Sequence, residues 1–317
     1  MAFLLRMINK SHFPAISKVI GYVFTLIALV YFFKQAYLSL NEISTYTWSL
    51  EQLVVTLLSA GLILLIGLLS GIAWHVLLMN QGAKTNLRIN MSVLCTSQIA
   101  KYIPGNIGQY FGRIYFSRKN GIPADAITVS MAIETLWLIF IATILTGITF
   151  LLFEAANTKS EFFEDIHFIH LLLISVLCFL GPLLVIRLLH LVAKVTNTNL
   201  FTRLKPFSAS TSLKIWAIYL VIFFMHGLLV SIHILLFSED STTNILLNTV
   251  LYATVWLAGY IFPGAPAGLG VREAATFAIF TNFYDAPTCI TISISLRLAS
   301  IIGDMLTYAV GRQLKKP

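Results

Sequence analysis

Charged residues are scarce in this chain: they make up 11% of its 317 residues, whereas 58% are apolar. Soluble domains carry roughly 25% charged residues, so the composition excludes a soluble protein and indicates a polytopic membrane protein. Cysteine is also rare, and its three copies lie in apolar runs without C-x-x-C spacing, which excludes a disulfide or metal framework. The longest polar stretch, about residues 196–214, is too short to bury a core of its own.

Nucleic-acid, catalytic and cofactor motifs are lacking as well. The net charge of +8 comes from basic residues in short loops between apolar runs. This distribution is typical of membrane orientation and not of nucleic-acid binding. The chain has no Ser-His-Asp order, no Walker loop and no dinucleotide fingerprint after a strand. We therefore predict no nucleic-acid partner, no cofactor, no metal site and no catalytic residue of a known motif.

Six apolar runs are long enough to be membrane spans, which need about 20 residues each. They lie at about 17–38, 52–79, 126–153, 166–193, 213–237 and 286–310. Two further apolar runs, about 87–119 and 244–283, are broken by Pro-Gly pairs. The limb after each break is about half as long as a hydrocarbon core is thick. We therefore predict an all-α polytopic membrane protein with about six full spans and two re-entrant helical hairpins.

The two breaks have nearly the same sequence, AKYIPG and AGYIFPG. Their Pro-Gly pairs are Pro104-Gly105 and Pro263-Gly264. Asn90 and Asn248 each precede the first alanine of a break by ten residues, which supports a repeat. Non-helical backbone at membrane depth survives only where protein or a water-filled cavity satisfies its polar groups. Matching breaks, one in each half of the chain, are typical of a transporter site at a repeat interface.

The loop charges predict the topology. With six spans and two hairpins, both termini lie on the side that collects most Lys and Arg residues, which is the cytoplasmic side. Three full spans separate the hairpins, so the second hairpin enters from the other side and the two halves form an inverted-topology repeat. Within one integral membrane domain of residues 1–317, we predict repeat 1 at about 50–153 and repeat 2 at about 213–312. The spans at about 17–38 and 166–193 are additional.

Charged residues within apolar runs mark a pathway or a paired site. We expect four of them to line a central polar cavity: Glu134, Glu273, Arg297 and Asp304. Glu134 and Arg297 occupy equivalent places in the two repeats and would face each other as an ion pair, although a purely structural salt bridge explains them equally well. Asp304 is expected to orient a neighbour or to cap a hairpin.

Glycine-rich segments at the hairpin tips, each followed by an arginine, indicate anion binding. Glycine lets backbone N–H groups approach a ligand, a helix N-terminus is electropositive, and a guanidinium fits a phosphate. We predict that a lipid phosphate is bound by Lys101, Asn106, Arg113, Gly268, Gly270 and Arg272. Alternatively, the glycines permit tight packing of the hairpins, and the arginines extend to the membrane interface.

The second tip, PAGLGVREA at residues 266–274, resembles the signature of the lysylphosphatidylglycerol synthase transmembrane family. This is the flippase-like membrane region of the multiple peptide resistance factors. The first tip, from Lys101 to Arg113, is similar to the family's other marked segment, and the likeness extends over about 15–312. Ala267 stands where the family often has glycine. The matching family positions are Arg113, Gly268, Gly270, Arg272 and Glu273.

The resemblance implies a stand-alone member, without the soluble aminoacyl-transferase domain of the bifunctional members. It implies a lipid translocase of the bacterial cytoplasmic membrane, whose cargo is an anionic phospholipid, an aminoacyl-lipid or a polyisoprenyl-phosphate-linked lipid. Two other functions remain open at this stage. One is a membrane-embedded transferase of cell-envelope assembly, with Glu273, Glu134 or Asp304 as general base. The other is a non-transporting scaffold for an enzyme of envelope-lipid or polysaccharide biosynthesis, and the oligomeric state is open in every case.

Overall fold

The computed structural model describes Val30, Lys34 and residues 49–102, 108–155, 168–195, 205–238, 243–261 and 266–315. Within these ranges the chain is all-helical, with turns and two short 3-10 segments between the α-helices and no strand. The α-helices are α1 (Leu50–Asn80), α2 (Leu87–Gln98), α3 (Gly108–Lys119), α4 (Ala124–Ala155), α5 (Phe168–Val195), α6 (Ala209–Phe237), α7 (Ile245–Ile261), α8 (Val271–Phe280) and α9 (Ala286–Leu314). The 3-10 segments are Ile99–Tyr102, after α2, and Pro266–Gly268, before α8.

Some predicted features lie outside the described residues. They are Pro104, Gly105, Asn106, Pro263, Gly264 and the predicted span at about 17–38, apart from the helical residues Val30 and Lys34.

Four helices of the described part, α1, α4, α6 and α9, are long and apolar enough to cross a membrane. They contain 31, 32, 29 and 29 residues and coincide with the predicted spans at about 52–79, 126–153, 213–237 and 286–310. α5 has 28 residues, coincides with the predicted span at about 166–193, and contains the shorter apolar segment Ile169–Gly181. The chain is therefore a multi-pass membrane protein.

Side-chain caps fix the start of three long helices. The hydroxyl of Ser49 accepts the Gln52 N–H at 3.1 Å, and the Gln52 side chain accepts the Ser49 N–H at 3.0 Å, which forms a capping box at α1. Ser208 caps α6 and Asp285 caps α9, each by accepting the backbone N–H three residues further on. These bonds satisfy N–H groups that the first turn of a helix leaves without a partner.

The two predicted hairpins are pairs of short helices. α2 and α3 have 12 residues each, and α7 and α8 have 17 and 10. At 1.5 Å per residue, 12 residues extend about 18 Å, well short of a hydrocarbon core of about 30 Å. α2 packs on α3, and α7 packs on α8. Both pairs therefore lie where the broken apolar runs, about 87–119 and 244–283, predict them.

The first half of the described fold, α1–α4, packs closely on the second half, α6–α9. α9 packs on α1 and α2, α4 packs on α7, and α6 packs on α1 and α7. Trp137, Tyr219 and Phe223 are buried between α1, α4 and α6, and Phe237 and Phe280 are buried within the second half. The last long helix of each half thus contacts the first short helix of the other half.

A buried asparagine joins α2 to α1. The amide nitrogen of Asn90 lies 2.8 Å from Nδ1 of His75, and its Oδ1 accepts a hydrogen bond from the Thr85 hydroxyl at 2.9 Å. Asn90 is completely buried, where a polar side chain is stable only if it is hydrogen-bonded. This contact holds the start of α2 against the long helix that precedes it.

The second half has the same arrangement. Asn248 on α7 is also completely buried, and its amide donates to the hydroxyls of Ser231 on α6 and of Thr243, both at 2.8 Å. In each half the threonine precedes the asparagine by five residues. The hydroxyl of Tyr284 donates to Oδ1 of Asn248 at 2.8 Å. The two asparagines that stand ten residues before the breaks therefore make corresponding contacts.

Two glycines occupy matching places on α1 and α6. A Cβ on Gly71 would lie 3.2 Å from Cα of Met91, and a Cβ on Gly227 would lie 2.7 Å from Cα of Thr249. Met91 and Thr249 directly follow the two buried asparagines. The absence of a side chain at each glycine lets the short helix approach the long one. The contacts of α1 with α2 and of α6 with α7 thus correspond position by position.

Candidate functional site

A cavity of about 200 Å³ lies where the two tips meet. The 3-10 segments Ile99–Tyr102 and Pro266–Gly268 contact each other there, and every described α-helix except α5 contributes to the wall. Six predicted site residues line the cavity: Lys101, Arg113, Glu134, Arg272, Arg297 and Asp304. Glu273 lies beside it, in a smaller pocket that it shares with Arg272 and Arg297. The fold therefore brings together charged residues that are up to about 200 positions apart in the sequence.

Arg113 on α3 and Glu134 on α4 form an ion pair in the cavity wall. The second carboxylate oxygen of Glu134 accepts a hydrogen bond from the Tyr219 hydroxyl at 2.7 Å. The Arg113 guanidinium also lies 5.0 Å from the centre of the Trp74 ring, at cation–π distance. Arg113 is therefore held by groups of the protein itself, and its Nε is the atom without a hydrogen-bond partner.

Arg297 on α9 pairs with Glu273 on α8. Nε of Arg297 lies 3.5 Å from Oε1 of Glu273, and its Nη1 donates to the Ala267 carbonyl at 3.2 Å. In the first half the arginine is on the short helix and the glutamate on the long one. In the second half the signs are exchanged, because the short helix carries the glutamate.

The expected ion pair between Glu134 and Arg297 is therefore wrong. Both residues line the cavity, but each pairs with the short helix of its own half. The physical reason is proximity. The short helix next to each side chain carries an opposite charge, so neither Glu134 nor Arg297 has to extend across the cavity to find a partner.

Asp304 on α9 connects the second half to the tip of the first. Its carboxylate accepts hydrogen bonds from Nζ of Lys101 at 2.8 Å and from the Tyr102 hydroxyl at 2.6 Å. The Lys101 side chain is 25% exposed, and Asp304 is 7% exposed. Asp304 thus fixes the end of the 3-10 segment that follows α2.

Arg272, in the first turn of α8, differs from the other cavity cations of the described chain. No carboxylate oxygen of the described residues lies within salt-bridge distance of it. Its buried Nε makes no hydrogen bond, which is also true of Arg113 and Arg297. The side chain packs against two glycines: a Cβ on Gly259 would lie 2.5 Å from its Cγ, and one on Gly268 would lie 2.9 Å from its Nε. The two glycines therefore make room for a guanidinium that has no partner.

The glycines of the second tip serve the fold in two ways. Gly268 and Gly270 have φ values of +72° and +80°, a region that residues with a Cβ rarely adopt. The N–H of Gly270 donates to Oε2 of Glu273 at 2.7 Å, which caps α8. This N–H is therefore used inside the protein, and Gly268 adjoins the cavity through its contact with Arg272.

Sequence reasoning missed the tyrosines of the wall. Tyr102, Tyr110, Tyr219, Tyr252 and Tyr260 all line the cavity. The hydroxyls of Tyr110 on α3 and Tyr260 on α7 are 2.7 Å apart, so they link the two pairs of short helices. Tyr102 and Tyr260 belong to the two repeated break sequences, and this repetition was the available signal. The others are not distinguishable from packing aromatics in an apolar run.

No group of three metal-ligating side chains occurs among the described residues. His226, which lines the cavity, stacks on Tyr252 with ring centres 4.6 Å apart, and its Nδ1 lies 2.8 Å from the Ile222 carbonyl. The charged groups at the cavity and its adjoining pocket are four cations and three carboxylates. With histidine counted as neutral, the site carries one excess positive charge, which suits an anion.

Comparison with known proteins gives one family. The sequence profile described as lysylphosphatidylglycerol synthase TM region matches residues 18–307. The comparison with curated proteins gives no match. The profile covers the cavity residues of both halves and agrees with the resemblance carried by the two tips.

Proposed function

The chain belongs to the lysylphosphatidylglycerol synthase TM region family, and from this premise we propose that it is a lipid translocase. The family suggests a membrane protein of lipid-related biosynthesis or translocation. In our proposal the cargo is a lipid with a phosphate-containing headgroup: an anionic phospholipid, an aminoacyl-lipid or a polyisoprenyl-phosphate-linked lipid. The headgroup passes through the cavity while the hydrocarbon chains stay in the bilayer.

The observation that carries this proposal is the unpaired guanidinium of Arg272. An unpaired charge within the membrane is costly, about 3 kcal/mol at the centre of a spanning helix on insertion scales, and in our proposal the re-entrant second tip lies within the membrane. Two glycines nevertheless give this side chain room at the cavity. A phosphate would supply the missing partner, and the planar guanidinium would bind it through two parallel hydrogen bonds.

The architecture supports the same proposal. The matching contacts of Asn90 and Asn248, and the two ion pairs with exchanged signs, are those expected of two related halves. We propose that these halves form an inverted-topology repeat, that the two pairs of short helices are re-entrant, and that both termini are cytoplasmic in a bacterial inner membrane. Transporter sites lie at such repeat interfaces, close to the bilayer midplane.

Movement of a headgroup requires the contacts between the halves to change. Among them are the bond of Asp304 to the first tip and the bond between the hydroxyls of Tyr110 and Tyr260. We propose that these bonds open alternately, without nucleotide, so that the cavity is accessible from one side of the membrane at a time.

The carboxylates of the cavity disfavour a transferase. A membrane-embedded transferase needs a general base, and Glu134, Glu273 and Asp304 are the candidates. Each of them already accepts hydrogen bonds from protein groups. A scaffold for an envelope-lipid or polysaccharide enzyme does not require the unpaired Arg272, so the experiment on that residue also tests this alternative.

The test is translocation of labelled lipid in proteoliposomes that contain the purified full chain. Arg272→Ala is expected to abolish transport, and Arg272→Lys is expected to retain part of it, because an ammonium still attracts phosphate. The matched control is Arg312→Ala, which removes an exposed arginine of α9 that does not line the cavity. Transport by Arg272→Ala at the wild-type rate, from a protein that is equally stable, would refute the proposal.

A further inference from the structure

The charges and hydrogen-bonding groups of the cavity restrict the headgroup that it can hold. We propose that the cavity selects a phosphate ester whose headgroup carries hydroxyl groups and no ammonium group, and that it discriminates against aminoacylated and other amine-bearing lipids. This inference rests on the proposed translocase function and narrows its cargo to lipids with a polyol or sugar headgroup.

Each carboxylate of the cavity already has a cation of the protein as its partner. Glu134 uses one oxygen for Arg113 and the other for Tyr219. Both oxygens of Asp304 lie within 2.8 Å of Nζ of Lys101, and Oδ2 also accepts the Tyr102 hydroxyl. A headgroup ammonium at either carboxylate would lie beside the cation of Arg113 or Lys101 and share its counter-charge, so like charges would repel.

The third carboxylate, that of Glu273, also has a cation partner, but at a longer distance and without a hydrogen bond to that cation. Its Oε2 accepts the Gly270 N–H at 2.7 Å, and its Oε1 faces Nε of Arg297 at 3.5 Å. The cap at the start of α8 therefore depends on this side chain. Loss of the cap to bind a ligand would cost part of the stability of the helix that carries Arg272.

Aromatic ring faces are the other groups that bind ammonium, and three rings of the cavity already have neighbours. The Tyr102 ring has Lys101 at 5.6 Å and Arg297 at 6.0 Å from its centre. Trp256 and Tyr260 stack on each other with centres 4.8 Å apart. The cations of the protein thus occupy the place that a ligand ammonium would need at Tyr102.

The net charge of the cavity also disfavours an amine-bearing headgroup. The cations Lys101, Arg113, Arg272 and Arg297 exceed the carboxylates Glu134, Glu273 and Asp304 by one. A phosphodiester, with a single negative charge, brings this cluster to neutrality. A lysyl ester of the same lipid has a net positive charge, because its two ammonium groups outweigh its phosphate. It would add to the excess charge in a site of low dielectric, where repulsion is strong.

Uncharged polar side chains of the cavity favour a headgroup that carries hydroxyl groups. Gln98, Gln109 and Ser300 line the cavity, and their side chains make no hydrogen bond to the described part of the chain. An amide and a hydroxyl both donate and accept, which matches the hydroxyl groups of a polyol or a sugar. Sites built to hydrogen-bond a ligand hydroxyl reject ligands that lack it, because their own polar groups are then left unpaired.

The experiment measures binding in detergent, independently of transport. Short-chain lipids compete with a fluorescent phosphatidylglycerol for the purified full chain, followed by anisotropy. The competitors are phosphatidylglycerol, its lysyl ester, phosphatidylethanolamine and a short polyprenyl-phosphate hexose. We expect phosphatidylglycerol or the polyprenyl-phosphate hexose to bind about tenfold or more tightly than both amine-bearing lipids. The stronger of the two hydroxyl-bearing competitors identifies the source of the headgroup.

A variant provides the converse test. Lys101→Met frees Oδ1 of Asp304 for a ligand ammonium, so the preference over the lysyl ester is expected to fall by about tenfold. Lys84→Met, at an exposed lysine that does not line the cavity, is the control and should keep the wild-type preference. If Lys101→Met does not fold, the wild-type competition series still decides the question.

Two outcomes overturn the inference: equal or tighter binding of the lysyl ester by the wild type, or no competition by any of the hydroxyl-bearing lipids. A different result would contradict the proposed translocase function. A protein that binds with the expected preference but moves no lipid in proteoliposomes is not a translocase, whereas transport that favours the lysyl ester contradicts only the selectivity.

Discussion

Arg113 on α3 and Glu134 on α4 form an ion pair in which each side chain is only 6% exposed. Both charges are also bound by other groups, Trp74 on one side and Tyr219 on the other. The pair therefore joins the short helices of the first half to the long helix that follows them. Its main role is structural, and this role gives the first prediction.

Arg113→Ala is expected to destabilise the protein by about 3–5 kcal/mol, because it leaves the buried carboxylate of Glu134 without its counter-charge. Thermal unfolding in detergent measures the loss. Arg118→Ala, at an exposed arginine on the same helix, is the control and should change stability by less than about 1 kcal/mol. Equal stabilities of the two variants would contradict the structural role of the pair.

Gly268→Ala is expected to impair transport in the same way as the loss of Arg272. The new Cβ would lie 2.9 Å from Nε of Arg272, at a residue whose φ is +72°. The guanidinium would have to move out of its place at the cavity. Proteoliposome transport and unfolding temperature should both be measured.

Gly121→Ala is the matched control for this substitution. Gly121 has a similar φ of +77°, but a Cβ there would meet no atom within 4 Å. Gly121→Ala therefore has the cost of backbone strain alone, roughly 1–2 kcal/mol, and transport should be retained. If the two variants transport equally well, the contact between Gly268 and Arg272 has no function.

Asp304→Asn is expected to loosen the first tip. The amide keeps a hydrogen-bond acceptor for the Tyr102 hydroxyl but loses the charge that holds Lys101. Amide hydrogen exchange at residues 99–102 should become faster, since local opening of this segment would cost less free energy. Asp125→Asn, whose carboxylate accepts the neighbouring Ala126 N–H on α4, should leave exchange at the tip unchanged. Slow exchange in Asp304→Asn would show that the tip is held by other contacts.

The positions of the helices follow from the sequence because apolar length and Pro-Gly breaks are local properties. A run such as 213–237 is too long and too apolar for any other structure in a bilayer, and α6 occupies it. Likewise, the breaks near Pro104 and Pro263 predict short helices on both sides, and α2, α3, α7 and α8 lie there.

The partner of each charged side chain, by contrast, cannot be predicted from the sequence. Glu134 and Arg297 both line the cavity, but their equivalent places in the sequence do not determine the direction in which a long side chain extends. The partner of each is set by the packing of a short helix against the long one. The bond between Tyr110 and Tyr260 has the same origin, because it depends on the approach of two helices that are 150 residues apart in sequence.

The packing of α9 on α1 and α2 also has a consequence for biogenesis. α9 supplies Arg297, Ser300, Asp304 and Thr307 to the cavity wall, and it is the last helix of the described chain to be synthesised. Before it inserts, α1 and α2 lack the neighbour that covers them, and Lys101 lacks its carboxylate. Completion of the site is therefore a late step of membrane insertion, and a nascent chain released before α9 would contain most of the helices but no closed cavity.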